Sequence, residues 1–341
     1  MELRFCDVTQ WLSLADRRIP CDLVPYQVRD AADHVVTIVP FMTECRNLVI
    51  LGGDWLPVRE GGIMLLEQMV HTPGLYPDKA KNIRSHEGKW FANIGTITEC
   101  PEDAILIGAD GNYYHWLIIY LPRLLLARKY ADISHLRIVV NKSLKSFERE
   151  TLALLGVDGQ LLPVGDDEVI RPRATLVPSL LVSNTVVHPV VPQLLQDAFP
   201  RRRISSCKRV YLSRQDARTR QLTNEAELTA LLGRYGFERH VPASLSFQEQ
   251  IDLCYGAEAL VAVHGAAMTN LIFCPPAAQV FEIYTPHHQS TFMYMLSRLS
   301  KRKHHFVPAR NAMFGKDGHP LHGNWEVDLD AMEAALKSNL K

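Results

Sequence analysis

Apolar and polar positions change period along this chain, and the changes mark its elements most clearly in the second half. Arg209–Ser213 alternates like a strand, and Asn224-x-x-Glu227 reads as a capping box opening a helix through Arg234, closed by Gly236. Phe237–Val241 is a short strand. Ser246-x-x-Glu249 caps a second helix, Phe247–Tyr255, closed by Gly256. Ala259–Val263 is a strand, Ala267–Phe273 a short helix broken by Pro275-Pro276, and Gln279–Ile283 a last strand. Strands alternating with helices predict a parallel sheet covered on both faces, half of a doubly wound α/β domain.

The first half is less regular. Up to residue 100 the pattern is mixed, with a strand at Asn47–Leu51 ending in Gly52-Gly53. From Asp103 it sharpens: an apolar run Ala104–Ile107 ends at Gly108, and a helix follows over Tyr113–Tyr130, which Pro122 should kink. Leu136–Val140 reads as a strand, Ser146–Leu155 as a helix stopped at Gly156, and Ala174–Val182 as a further strand region. Pro189, Pro192 and Pro200, followed by Arg201-Arg202-Arg203, mark the border between domains. The expected division is residues 1–195, an N-terminal α/β domain; 196–310, a C-terminal Rossmann-like domain; and 311–341, a tail helix packing back on the domains. Along that tail Val327, Leu329, Met332, Leu336 and Leu340 share one face.

Composition narrows the classes. The 341 residues carry 37 basic and 37 acidic side chains and are 47% hydrophobic, which excludes a long disordered chain and removes the simplest case for nucleic-acid binding. Seven scattered cysteines form no zinc-like spacing and read as free thiols. Charges interrupt residues 1–19, and the richest apolar stretch, Trp116–Ala127, contains Pro122 and Arg123. The expectation is a soluble, cytoplasmic protein. Arg201-Arg202-Arg203 and Lys301-Arg302-Lys303 read as solvated faces, with peripheral membrane contact as the alternative.

In an open parallel sheet, ligands bind beyond the carboxyl ends of the strands. The second half places there Ser213-Arg214, then His264-Gly265-Ala266, then Glu282. A cation for phosphate, a small-residue turn feeding a helix and a carboxylate for ribose hydroxyls make up a nucleoside-diphosphate site. In the first half, Asn112 is a good N-cap for the helix that carries His115 at N3, where an imidazole can serve as a general base. Asp328-Leu329-Asp330 lies in the tail helix and reads as solvated charge, and the pairs His287-His288 and His304-His305 are poor chelates.

These residues resemble a known family. Gly111-Asn112-Tyr113-x-His115-Trp116-Leu117, continued by Leu121-Pro122-Arg123-Leu124, looks like the N-terminal signature of the family 61 glycosyltransferases (GT61), in a bacterial-like form. Tyr211-Leu212-Ser213-Arg214, Arg220, Asn224-Glu225, Glu249-Gln250, His264-Gly265-Ala266-x-x-Thr269-Asn270, Phe273 and Glu282 look like its C-terminal signatures. The resemblance implies a GT-B fold, two Rossmann-like doubly wound domains facing across a cleft. It also implies an inverting transferase using a nucleoside-diphosphate sugar; because fixed cationic and amide donors can replace a divalent metal, no metal or cofactor is expected beyond that co-substrate. The acceptor would be a hydroxyl of a glycan or glycolipid, in surface polysaccharide or glycoconjugate synthesis at the inner face of the membrane.

In that reading Arg214, the amides after His264, Thr269 and Asn270 take the leaving diphosphate, while Asn112, Trp116 and Arg123 are acceptor-side or structural. One departure matters. Family members often carry an acidic residue one turn after the histidine, where this chain has Ile119. Either His115 acts without that helper, or another carboxylate such as Asp110 supplies the base, or activity is altered. The alternatives to a transferase are an epimerase or hydrolase of nucleotide sugars on the same scaffold, and a non-catalytic binding protein.

Overall fold

Short strands joined by Gly/Pro/Asp loops cannot make helical crossovers, so they pair antiparallel with their neighbours. The first hundred residues follow this rule for most pairs, the exceptions being Glu2–Cys6 with Ile63–Leu65 and Ile97–Cys100 with Val169–Pro172, which are parallel. In the computed structural model, which describes residues 1–29, 35–65, 82–87, 89–183, 186–203, 207–217, 219–284, 291–310 and 323–340, the chain forms two compact units, Met1–Ala198 and Phe199–Lys341.

The first unit holds two larger sheets. One is eight-stranded, in the order Ile97–Cys100, Val169–Pro172, Leu48–Leu51, Leu56–Arg59, Ile63–Leu65, Glu2–Cys6, Lys89–Ala92, Ile83–His86, and its pairings are mostly antiparallel. The other is six-stranded. It runs Leu161–Val164, Arg137–Asn141, Ala104–Leu106, Thr175–Pro178, Met42–Cys45, Arg17–Ile19, with the first four strands parallel and the last two antiparallel. A doubly wound domain is therefore not what the first unit is throughout. Only the block from Ala104 to Pro178 has the βα alternation that parallel pairing needs, and the earlier strands extend it antiparallel.

The second unit is the doubly wound one. Its strands are β1 (Arg209–Leu212), β2 (Glu238–His240), β3 (Ala259–Val263), β4 (Gln279–Tyr284), β5 (Lys303–Arg310) and β6 (Glu326–Val327), in the order β2-β1-β3-β4-β5-β6, all parallel except β6. Helices α1 (Glu225–Arg234), α2 (Phe247–Gly256), α3 (Phe292–Leu299) and α4 (Leu329–Asn339) complete it. Gln279–Tyr284 is thus not the last strand. The next one opens Lys303-His304-His305 and contains Pro308, a polar start and an imino acid that hide it from a periodicity reading.

One of the two expected caps differs. Ser246 and Glu249 form the reciprocal capping box, but Asn224 turns its side chain away from α1 to bond both the N–H and the carbonyl of Val327. It anchors β6 instead. The tail helix α4 belongs to this unit's core, where Met332 and Leu336 pack with Leu228, Leu232, Trp325 and Val327. Asp328 is no solvated charge: it caps α4 through Ala331 N–H and pairs with Arg310 at 2.6 Å. Arg302 is likewise buried, its guanidinium donating to the carbonyls of Ser300, Ile272 and Cys274. Among the described residues no helix is long and apolar enough to cross a membrane.

Candidate active site

The order β2-β1-β3 reverses the direction of winding between β1 and β3. Connections leave these strands toward opposite sides, and a crevice opens beyond their carboxyl ends, where doubly wound folds bind ligands. Two segments enter it. Arg214 follows β1, and His264-Gly265 follows β3 and leads into a 3-10 helix, Ala266–Phe273. Gly265 is needed for the approach of the two: a Cβ there would lie 2.1 Å from Arg214 Nη1.

Arg220 joins them from the loop after β1, donating through Nη1 to the His264 carbonyl at 2.9 Å. Its φ of 60° is in the left-handed region, a strained conformation for arginine of the kind stored at functional sites. Among the described residues neither Arg214 nor Arg220 has a carboxylate partner, and three buried polar atoms here make no hydrogen bond: Arg214 Nε, Arg220 Nε and Thr269 Oγ1. An unsatisfied buried polar group costs about 1–3 kcal/mol. Three gathered at one switch point suit an outside anion. Burial, and then the neighbouring Arg220, push the Arg214 guanidinium down to about 10 against the opposing pull of Asp216.

His264 is steadied from behind. Its Nδ1 bonds Glu282 Oε1, and the other carboxylate oxygen of Glu282 bonds His304 Nε2 at 2.8 Å. Burial alone would raise the Glu282 carboxyl; the two histidine contacts outweigh it and hold the group below the ordinary glutamate range. With both oxygens engaged and its side chain 1% exposed, Glu282 braces His264 and is not the ribose acceptor expected from the sequence. Two other expected donor contacts also face inward. Ser213 Oγ donates to Glu225 and accepts from Arg239 Nη2 and Gln215 N–H, and the Asn270 amide donates to Gln250 Oε1, tying the 3-10 helix to α2. Ala266 stands half-buried at the mouth of that helix.

In the first unit, Gly111 takes a φ of 75° and turns the chain from the strand Ala104–Leu106 into the helix at Tyr113. Glu148, fully buried, accepts from the N–H groups of Gly111 and Lys145 and fixes this turn. Burial pushes its carboxyl up against those two bonds. Asn112 caps the helix by accepting from Tyr114 and His115 N–H. Within the turn Asp110 Oδ2 lies 2.5 Å from His115 Nδ1, while Asp110 Oδ1 accepts from Asn112 N–H. Both side chains of the dyad are about one-fifth exposed, open enough to meet a ligand.

The helix is not regular beyond His115. Trp116–Tyr120 is a π turn, closed by Leu121 N–H donating to the Trp116 carbonyl, and Pro122 starts the regular helix that follows, Leu121–Tyr130. Ile119 is buried, and the carboxylate that serves His115 arrives from the preceding turn. The remaining candidates here are structural. Trp116 Nε1 donates to Thr151, and Arg123, wholly buried, donates to the carbonyls of Ile107 and Pro178 at the ends of two parallel strands. Arg123 therefore points neither to a cleft nor to solvent.

Sequence reasoning passed over Arg220 and His304. Arg220 stands out only within a signature, and His304 reads as half of a surface pair; the histidines at 287 and 288 lie outside the described residues. Among the described residues one group, Cys207, Glu238 and His240, brings three metal-ligand atoms within 4.8 Å of one another, on β2 and the approach to β1. Burial raises the Cys207 thiol, which opposes the thiolate a metal requires.

A histidine–carboxylate dyad and a cationic switch-point crevice are equipment suited to group transfer from a phosphate-bearing donor. Comparison with known proteins gives that class its family. Residues 113–281 match the family model described as Glycosyltransferase 61, and this segment carries that family's domain. It is similar to a protein O-linked-mannose β-1,4-N-acetylglucosaminyltransferase 2 from Takifugu rubripes, 36% identical over 99 residues, 27% of this chain and 17% of the relative. It is also similar to EGF domain-specific O-linked N-acetylglucosamine transferases from Drosophila melanogaster, 38% identical over 77 residues (22% of this chain, 15% of the relative), and Gallus gallus, 30% over 96 (25% and 17%). The aligned part spans about a sixth of these relatives' length.

Proposed function

We propose that this protein is an inverting glycosyltransferase of GT-B type, moving a sugar from a nucleoside-diphosphate donor to a hydroxyl of a glycan or protein acceptor without a divalent metal. The observation that carries the reading is the pair of half-buried arginines at the β1/β3 switch point, whose buried Nε donors are unmatched beside His264-Gly265. In this reading Phe199–Lys341 binds the donor and Met1–Ala198 supplies the base.

In this reading the residues act as follows. His115 Nε2 takes the proton of the acceptor hydroxyl, and Asp110 at Nδ1 orients the ring and compensates the imidazolium that forms. The acceptor oxygen bonds to the anomeric carbon as the bond from that carbon to the diphosphate oxygen breaks. Attack on the opposite face inverts the centre. The electron pair leaves with the diphosphate, whose growing charge meets Arg214, Arg220, the Thr269 hydroxyl and the amides opening the 3-10 helix. Fixed cations and donors of this kind do the work that a metal does in other transferases.

The names of the three relatives all specify N-acetylglucosamine transfer, so the donor is sought first among N-acetylglucosamine nucleotides, and the acceptor among O-linked glycans and proteins. The test is incubation with a panel of nucleoside-diphosphate sugars and acceptors, read by the mass of the acceptor. One added sugar, in the presence of a chelator and lost in His115→Ala, is the expected result. Donor turnover equally fast without acceptor would favour a hydrolase or epimerase, and strict dependence on manganese would overturn the metal-free step.

A further inference from the structure

One line of hydrogen bonds runs from the crevice through three strands to a helix. His264, directly after β3, bonds through Nδ1 to Glu282 on β4; Glu282 bonds His304 Nε2 on β5 at 2.8 Å; and His304 Nδ1 lies 2.8 Å from Ser297 Oγ on α3. The side chains of Glu282 and His304 are 1% and 2% exposed, and Ser297 is fully buried. Only His264 reaches the edge of this line, at 11%. Tyr294 and Phe306 pack their rings against His304 and hold its plane.

Burying a carboxylate between two imidazoles is poor value as mere packing, since well-packed apolar residues of the same volume serve stability as well or better. The line does something apolar residues cannot: each link decides the next. In the neutral tautomer in which the Ser297 hydroxyl donates to His304 Nδ1, the His304 proton sits on Nε2. That proton is donated to Glu282 Oε2, and Glu282 Oε1 accepts from His264 Nδ1–H. The action of His264 on a ligand then runs through Nε2, and a proton held there for a phosphate oxygen is balanced by the carboxylate across the ring.

We propose that His304, held by Ser297, is a positioning residue of the donor site: it fixes Glu282 against His264 Nδ1 and thereby commits His264 Nε2 to the diphosphate. The inference rests on the nucleoside-diphosphate reading of the crevice given above, but its structural half is testable without it.

The test uses the full chain with 15N-labelled histidine, comparing wild type with His304→Gln, His304→Phe and Ser297→Ala. The ring Nδ1–H resonance of His264 is assigned by its loss in His264→Asn. His304→Gln keeps an N–H for Glu282 and is expected to retain the resonance, whereas His304→Phe loses or broadens it. Titration with UDP, GDP, CDP and ADP should show affinity about tenfold or more weaker in His304→Phe, the worth of one hydrogen bond to a charged group, and within about twofold of wild type in His304→Gln. Ser297→Ala, the milder change, should move both readouts in the same direction if His304→Phe does not fold. An unmoved His264 resonance and unmoved affinity in His304→Phe, or in Ser297→Ala, would overturn the proposal. If wild type binds none of the four nucleotides, the transferase reading falls, while the resonance comparison still decides whether His304 positions His264.

Discussion

The proposed mechanism needs, at His115, a base whose ring cannot rotate away from its acceptor, and Asp110 holds that ring from five residues upstream. His115→Ala is expected to lower kcat about 100-fold to 10,000-fold, the worth of a general base, with little change in diphosphate affinity; unchanged kcat would remove His115 from the chemistry. Asp110→Asn should lower kcat in the same direction while leaving the fold intact, because the amide oxygen can still accept from Asn112 N–H. Gly265→Ala separates binding from folding. The φ of Gly265 is 167°, extended backbone open to any residue, and the atom a Cβ would meet is the mobile end of Arg214. Calorimetry should find diphosphate binding weakened with Tm little changed. Which residues face the ligand was only partly legible in the sequence. Arg214 and His264 sit where strand ends put them, whereas Ser213, Asn270, Arg123 and Glu282 have polar ends that a sequence cannot show to be taken by Glu225, Gln250, two strand carbonyls and two histidines.

At the scale of elements, periodicity served where both faces of a strand are buried. Ala259–Val263 is buried at every position and is readable from its run of apolar residues. Lys303–Arg310 is half-exposed and opens with a lysine and two histidines, so no periodicity marks it. The π turn Trp116–Tyr120 is equally invisible, because its residues are apolar all round and buried. It also undoes the expectation that a helper for His115 must stand four residues later. The tail helix was legible, and its energetics follow: Leu336 is fully buried with Leu228 and Leu232 in the second unit's core. Leu336→Ala should cost about 2–5 kcal/mol, read by urea unfolding, and an effect under about 0.5 kcal/mol, the range of surface substitutions, would show that the helix is not part of that core.

For the whole molecule, charges that sum to zero conceal where they are concentrated. Acid should act in part through Glu282, buried between His264 and His304. The Glu282 carboxyl is lower in the folded state than its ordinary value, so the stability it contributes is present above the unfolded pKa and is lost as pH falls through the folded one. Thermal melts from neutral to acid pH should therefore fall more steeply for wild type than for Glu282→Gln, and parallel curves would contradict the assignment. The sequence resemblance led to the family, but the doubly wound form expected of both halves holds in full only for Phe199–Lys341. The antiparallel strands before residue 100 carry no signature from which their pairing could be read.

In the proposed function Arg214, Arg220 and the His264-Gly265 turn form a nucleoside-diphosphate site. Its most direct test is calorimetric titration of UDP, GDP, CDP and ADP into wild type and Arg214→Ala, with a chelator present. Saturable one-to-one binding of at least one nucleotide by wild type, weakened about 10-fold to 100-fold by loss of the charged contact, is the predicted result. No binding by folded wild type, or equal binding by both proteins, would contradict it.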